Sequence, residues 1–186
     1  MTDQDLVQRA RKGDEAAFLL VYERNRNAVF QFAYRLTGTV ETAEDLTQEC
    51  FLAVISGTAR FDASRGALRT YLLGVVRNLA FRQHRESGRE CGEDDLPDAP
   101  SPETQLDDLL AGEVSARVER AVSELPLLQR EALVLFQYDE LSLEEIASVV
   151  GTEVGTVKAR LHRARERLRN RLAPMLADTM AQRNCI

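Results

Sequence analysis

The apolar residues of this chain recur at the three- and four-residue spacing of amphipathic helices, and breaks in that pattern divide the chain into elements. Residues 3–12 predict a short helix that Gly13 breaks. Asp14 is placed to cap a long helix from Glu15 to Leu36, with Phe18, Leu19, Tyr22, Val29, Phe32, Ala33 and Leu36 on its apolar side. Gly38 ends it, and Thr39 can cap a helix from about Val40 to Ser56 carrying Ala43, Leu46, Cys50 and Val54. Gly57 to Gly66 reads as a loop. Ala67 to Arg85 is again helical, with Leu68, Tyr71, Leu72, Val75, Val76 and Leu79 as its core face.

The pattern then fails. Residues 87–112 hold few apolar side chains and are interrupted by Gly88, Gly92, Pro97, Pro100 and Pro102. Such a stretch cannot bury a core and reads as a flexible linker. Helical spacing resumes with Val114, Val118, Val122 and Leu125. Pro126 suits the first turn of a helix carrying Leu127, Leu128, Ala132, Leu133, Leu135 and Phe136. Ser142 and Glu145 have capping-box spacing ahead of a short helix with Ile146, Ala147 and Val150, and Gly151 follows at once. A last helix has a narrow stripe of Val157, Leu161, Ala164, Leu168 and Leu172. Pro174 is expected to end it, leaving a frayed tail from Ala177 to Ile186. The expected fold is all-α: a domain over 1–86, a flexible acidic linker over 87–112, a helix-turn-helix domain over 113–175 and a tail over 176–186.

Composition adds bounds. The chain has 186 residues, 44% hydrophobic and 29% charged, which suits two small globular domains. No apolar run is long enough to cross a bilayer, and the first residues lack the apolar core of a signal peptide, so a cytoplasmic location is expected without membrane insertion. Three scattered cysteines, Cys50, Cys91 and Cys185, form no metal-binding or disulfide pattern. Cys50 falls on an apolar face, and a redox role for Cys91 or Cys185 stays open. Neither a metal nor a cofactor is expected. No P-loop, dinucleotide-binding glycine motif, HExxH or nucleophile–base pair is present, so the chain does not read as an enzyme.

Charge changes the picture most. The net charge of −6 looks wrong for a nucleic-acid binder, but it is unevenly spread. Residues 1–86 carry 12 basic and 11 acidic side chains, the linker one and eight, and residues 113–186 carry 11 of each. Within 158–171 there are seven basic residues against Glu166 alone. A short capped helix, a glycine-bearing turn and a basic second helix match a helix-turn-helix whose second helix enters the DNA major groove. A local basic stripe is what meets phosphates. Gly74, Asn78, Phe81 and Arg85 share one face of the 67–85 helix. That face suits stacked bases of single-stranded nucleic acid, or it is a solvated basic face with Phe81 turned inward. Phe61, in a polar loop, reads either as a binding aromatic or as a lid on the core. Glu41, Asp45 and Gln48, with Glu49 at the border, form an acidic-polar face that is either solvated or a docking surface.

Three stretches, in order, resemble the sigma-70 family of bacterial RNA polymerase sigma factors, extracytoplasmic-function subgroup. AEDLTQECFLAV (Ala43–Val54) resembles the segment that docks on the clamp helices of the polymerase β′ subunit. FDASRGALRTYLLGVVRNLAFRQHR (Phe61–Arg85) resembles the segment that melts the promoter and reads the −10 element. The stretch from Glu124 to Arg169 resembles the −35-reading domain. The resemblance covers about residues 14–173. The chain departs from the family pattern with Tyr71 where tryptophan is common, Phe81 near a frequent acidic position, and Ala159 where a polar side chain often sits.

The resemblance implies that Glu41, Asp45, Gln48 and Glu49 contact core polymerase. It implies that Phe61, Asp62, Ser64, Arg77, Asn78, Phe81 and Arg82 serve the −10 element, with Phe61 in the loop that captures a flipped base. It assigns Lys158, Arg160, His162, Arg163 and Arg165 to the −35 duplex. The implied partners are core RNA polymerase (β′ clamp helices and β flap), promoter DNA both duplex and single-stranded, and an anti-sigma factor. The acidic linker would thread toward the polymerase channels, and before that would keep the two domains off duplex DNA. The competing expectation is an autonomous helix-turn-helix regulator, which predicts a homodimer on paired half-sites one helical turn apart. That alternative leaves the Asp45–Glu49 face and the Asn78 face unexplained.

Overall fold

The computed structural model describes residues 2–86 and 111–183, and every regular element among them is helical. Helix α1 spans Asp3–Arg11, α2 Glu15–Thr37, α3 Val40–Ser56 and α4 Leu68–Glu86. Helix α5 spans Ala111–Ser123, α6 Leu127–Gln137, α7 Leu143–Val150 and α8 Val154–Arg183. The acidic segment expected as a linker lies outside the described residues, except that Ala111 and Gly112 already belong to α5. Cys91 and Cys185 lie outside them as well.

Side chains set the helix boundaries. Thr2 and Asp5 form a reciprocal capping box on α1, with Asp5 N donating to Thr2 Oγ1 at 3.2 Å and Thr2 N to Asp5 Oδ2 at 3.1 Å. Asp14 accepts from Ala17 N at 3.0 Å to start α2, and Gly38 closes that helix in the left-handed region at φ 79°. Arg11 finishes α3 from outside. Its Nε donates to Val54 O at 2.9 Å, a carbonyl that the helix end leaves open, and its Nη2 donates to Ala59 O in the following loop at 2.9 Å.

Helices α1 to α4 enclose one apolar core, which includes Leu6, Val29, Phe32, Leu72, Leu73 and Val76. Cys50 lies fully inside it, with Sγ donating to Leu72 O at 3.7 Å. Burial pushes its thiol up to about 12. On α4 the buried positions are Leu68, Leu72, Leu73, Val76 and Ala80, so the core face is rotated from the expected one. Val75 and Leu79 are only half-buried.

Helices α6, α7 and α8 pack together around Leu135, Ile146, Val157, Leu161 and Ala164. Two features depart from expectation. Helix α8 runs on through Pro174 to Arg183. A proline removes one backbone donor and crowds the preceding turn, but a helix can continue when solvent takes up the freed carbonyl, here that of the exposed Asn170. Helix α6 is buried on all sides from Gln129 to Leu135. Its polar residues Gln129, Arg130 and Glu131 are as deeply buried as its leucines. The first domain covers them, since α2 packs on α6 and α4 packs on α7.

Candidate nucleic-acid interface

The helix-turn-helix is built by local chemistry. Glu145 N donates to Ser142 Oγ at 3.2 Å, and Ser142 N donates to Glu145 Oε2 at 2.9 Å. The backbone and hydroxyl of Ser142 hold the Glu145 carboxyl below its usual range. Gly151 turns the chain at φ 68°, and its N–H bonds Ala147 O. Glycine takes that left-handed conformation without the steric cost of a Cβ. Helix α8 then buries Val157, Leu161 and Ala164, while Lys158, His162, Arg163 and Arg165 are exposed.

Lys158, His162 and Arg165, spaced by four and three, share an exposed face of α8, and Arg163 is exposed beside them. His162 Nε2 lies 3.6 Å from Glu166. The Arg165 guanidinium stands over the Phe136 ring at 5.1 Å, which fixes the side chain without neutralising it. Arg160 departs from this arrangement. Its Nη1 donates to the fully buried Glu131 Oε1 at 3.1 Å, and its side chain is only 12% exposed.

The residues expected to serve the −10 element separate into three groups. Phe61 is 7% exposed and packs on Tyr71 with ring centroids 5.4 Å apart, so in this state it closes the core as a lid. Asp62 starts a short 3-10 turn by accepting from Ser64 N at 2.9 Å and Ser64 Oγ at 2.7 Å. Those two bonds lower the Asp62 carboxyl below its ordinary value. The loop is tied to α1 through Ala63 N and Gln4 Oε1, 3.1 Å apart. Asn78 is exposed, and Phe81 is half-buried under the Arg77 guanidinium at 4.1 Å. Arg77 itself turns inward, its Nε donating to Glu131 Oε2 at 2.8 Å. Arg82 pairs with Glu49 on α3, so the outer ends of α3 and α4 are linked by charge.

Glu41, Asp45, Gln48 and Glu49 are all exposed on α3. Asp45 and Gln48 also line an open groove of about 870 Å³ between α2 and α3. Its lining includes Phe18, Tyr22, Phe30, Phe51 and Leu52, with Arg26 and Glu44. Leu52 is 60% exposed there, an apolar side chain the sequence pattern did not single out. The groove combines an apolar lining with acidic and polar groups, a mixture suited to a protein partner. Among the described residues no group of histidines, cysteines or carboxylates is placed to hold a metal, and no helix is long and apolar enough to cross a membrane.

The sequence reading missed Arg130 and Glu131. Both lie at core positions between the domains, and periodicity of apolar residues carries no signal for buried charge.

Comparison with known proteins bears on these surfaces. Residues 21–90 match sigma-70 region 2, and residues 115–168 match sigma-70 region 4. The chain is 32% identical to the ECF RNA polymerase sigma factor SigW of Bacillus subtilis, over 89% of this chain and 94% of that one. It is 30% identical to the RNA polymerase sigma-H factor of Pseudomonas aeruginosa, over 95% of this chain and 96% of that one. A solved structure of the sigma factor RpoE with the anti-sigma factor NepR from Bartonella quintana superposes with a TM-score of 0.63. It is 28% identical and covers 87% of this chain and 98% of its own.

A helical unit that matches sigma-70 region 2, followed by a basic helix-turn-helix unit that matches region 4, makes up a transcription initiation factor. The chain belongs to the sigma-70 family of bacterial RNA polymerase sigma factors, in the extracytoplasmic-function subgroup. It directs transcription initiation, and its family is regulatory rather than catalytic.

Proposed function

We propose that the chain docks on the β′ clamp helices of core RNA polymerase through the α2–α3 groove, with Glu41, Asp45, Gln48 and Glu49 at its rim. The second domain takes the flap of the β subunit as its support. Lys158, Arg160, His162, Arg163 and Arg165 then read the −35 element as duplex, with arginines able to bond guanine edges bidentately. Asn78, Phe81, Arg77 and Arg82 on α4, with Asp62, Ser64 and Phe61 of the preceding loop, hold melted −10 bases. Melting needs no ATP, because capture of an unstacked base in a shaped pocket supplies the free energy.

The observation that carries this reading is the division of α8. Val157, Leu161 and Ala164 are buried, while Lys158, His162, Arg163 and Arg165 are exposed next to a glycine-closed turn. An anti-sigma factor is the further proposed partner, supported by the likeness to a sigma factor solved with one.

The test is competition with the housekeeping sigma factor for bacterial core polymerase, followed by transcription on a promoter library. Displacement, with transcripts that share a −35 sequence, supports the reading. Tight duplex binding by the free chain as a dimer, without displacement, overturns it.

A further inference from the structure

Helix α1 holds the loop that carries Phe61 at two points. Gln4 Oε1 accepts from Ala63 N at 3.1 Å. Arg11 Nη2 donates to Ala59 O at 2.9 Å, while its Nε donates to Val54 O in the last turn of α3. One tie falls two residues before Phe61 and the other two residues after it, and Phe61 itself rests on Tyr71. Gln4 and Arg11 stand seven positions apart, so they share one side of α1. Helix α1 lies ahead of residues 21–90, the stretch that matches region 2. We infer that α1 is the frame of the base-capturing loop, with Gln4 and Arg11 as positioning residues that hold Ala63 and Ala59 in place while Phe61 leaves the core for a melted −10 base. The inference rests on the capture role proposed above for Phe61.

The frame is itself well anchored. Leu6, Val7 and Ala10 are buried in the core of the first domain, and the Thr2–Asp5 capping box fixes the start of the helix. Ties set on a packed helix place a site more firmly than ties set on a loop. Gly57 belongs to the same arrangement. It turns the chain at φ 84°, and a Cβ there would stand 3.3 Å from Arg11 Nη2, so the residue that ends α3 also leaves room for the guanidinium. Between Gly57 and Gly66 the only regular structure is the 3-10 turn Ala63–Arg65. Untied, this loop would gain backbone freedom once Phe61 left Tyr71, and base binding would have to remove it again. With Ala59 and Ala63 held, that cost is confined to the residues between them. Ordering a binding segment in advance raises affinity in this way.

The experiment measures binding of the full chain, assembled with core polymerase, to a single-stranded oligonucleotide. Its sequence is the non-template −10 sequence shared by the active promoters of the library. In a companion series each −10 position in turn is made abasic, and the captured base is the one whose loss costs the parent most affinity. The readout is the ratio of affinities for the intact and that abasic strand, in which general effects of charge or stability cancel. Gln4→Ala is expected to lower the ratio about fivefold, the worth of one hydrogen bond. Arg11→Met should lower it about tenfold, because its bonds are charge-assisted. Alanine is a good helix former, so α1 persists in Gln4→Ala. Gln4→Glu keeps an acceptor oxygen for Ala63 N and should restore the parent ratio. In the free chain, amide exchange at Ala63 should quicken in Gln4→Ala and return to the parent rate in Gln4→Glu.

An unchanged ratio in Gln4→Ala and Arg11→Met overturns the inference. An equal fall in Gln4→Ala and Gln4→Glu also overturns it, because the lost acceptor is then not the cause. If Arg11→Met fails to fold, the two Gln4 variants decide. A parent that does not assemble with core, or that responds to no −10 base, counts against the docking or capture reading instead. Amide exchange then decides whether α1 holds the loop, and an unchanged Ala63 rate in Gln4→Ala overturns that hold.

Discussion

Arg130 Nη1 donates to Leu36 O at 2.8 Å, so a buried guanidinium of the second domain caps the last turn of α2 in the first. Its Nη2 donates to Leu125 O at 3.0 Å within its own domain. Burial pulls the Arg130 guanidinium down to about 10, which leaves it charged at neutral pH. Replacing Arg130 with Met strands two buried carbonyls and should cost about 3 kcal/mol. Arg130→Lys, with one ammonium and no fork, should recover only part of that. The midpoint of urea unfolding for the three proteins measures the series.

The capping box of α7 gives a prediction with a pH sign. Ser142→Ala should destabilise the helix-turn-helix by about 1 kcal/mol. Glu145 titrates lower in the folded chain than in the unfolded one. Its contribution is therefore present above the ordinary glutamate range and fades as pH falls through the lowered value. In acid, thermal unfolding of Glu145→Gln and of the parent should converge. A constant gap at every pH contradicts the assignment.

Asn78 and Phe61 are both proposed to serve melted DNA, but their surroundings differ. Asn78 is exposed, so Asn78→Ala should leave stability within about 0.5 kcal/mol. Phe61 closes the core against Tyr71, and Phe61→Ala should cost about 3 kcal/mol before any effect on DNA. Asn78→Ala is the cleaner probe. It should slow open-complex formation on duplex promoters and spare templates melted in advance, which run-off transcription on both templates would compare. Equal activity on both removes Asn78 from the mechanism.

Leu52 lies 60% exposed on the α2–α3 groove. Burying such a side chain against a partner is worth about 2 kcal/mol. Leu52→Ser should therefore weaken core polymerase binding by roughly thirtyfold at unchanged unfolding temperature. Competition against the housekeeping sigma factor measures it, and undiminished competition places the docking surface elsewhere.

Much of this was readable from residue types. Asp14, Thr39, Gly38, Ser142 and Gly151 act through backbone chemistry within a few positions of themselves, and α3 runs over Val40–Ser56 as its cap and pattern predict. Distance in sequence hid the remainder. Glu131 finds Arg77 across 54 positions and Arg160 across 29, and no local pattern announces such a meeting. The α4 core face rotated onto Leu73 and Ala80 because its neighbours, rather than its own hydrophobicity, chose the buried side. Phe61 could be read either way from its loop alone, and packing against Tyr71 decided its place in this state.

Cys50 has a practical consequence. A thiol pushed to about 12 is ionised at neutral pH only on the order of one molecule in 10⁵. With no surface exposed, it meets an alkylating reagent only when the four-helix core itself comes apart. Its labelling rate is thus a built-in clock for global opening of the first domain. A motion that merely parts the two domains would leave that clock running at its resting pace.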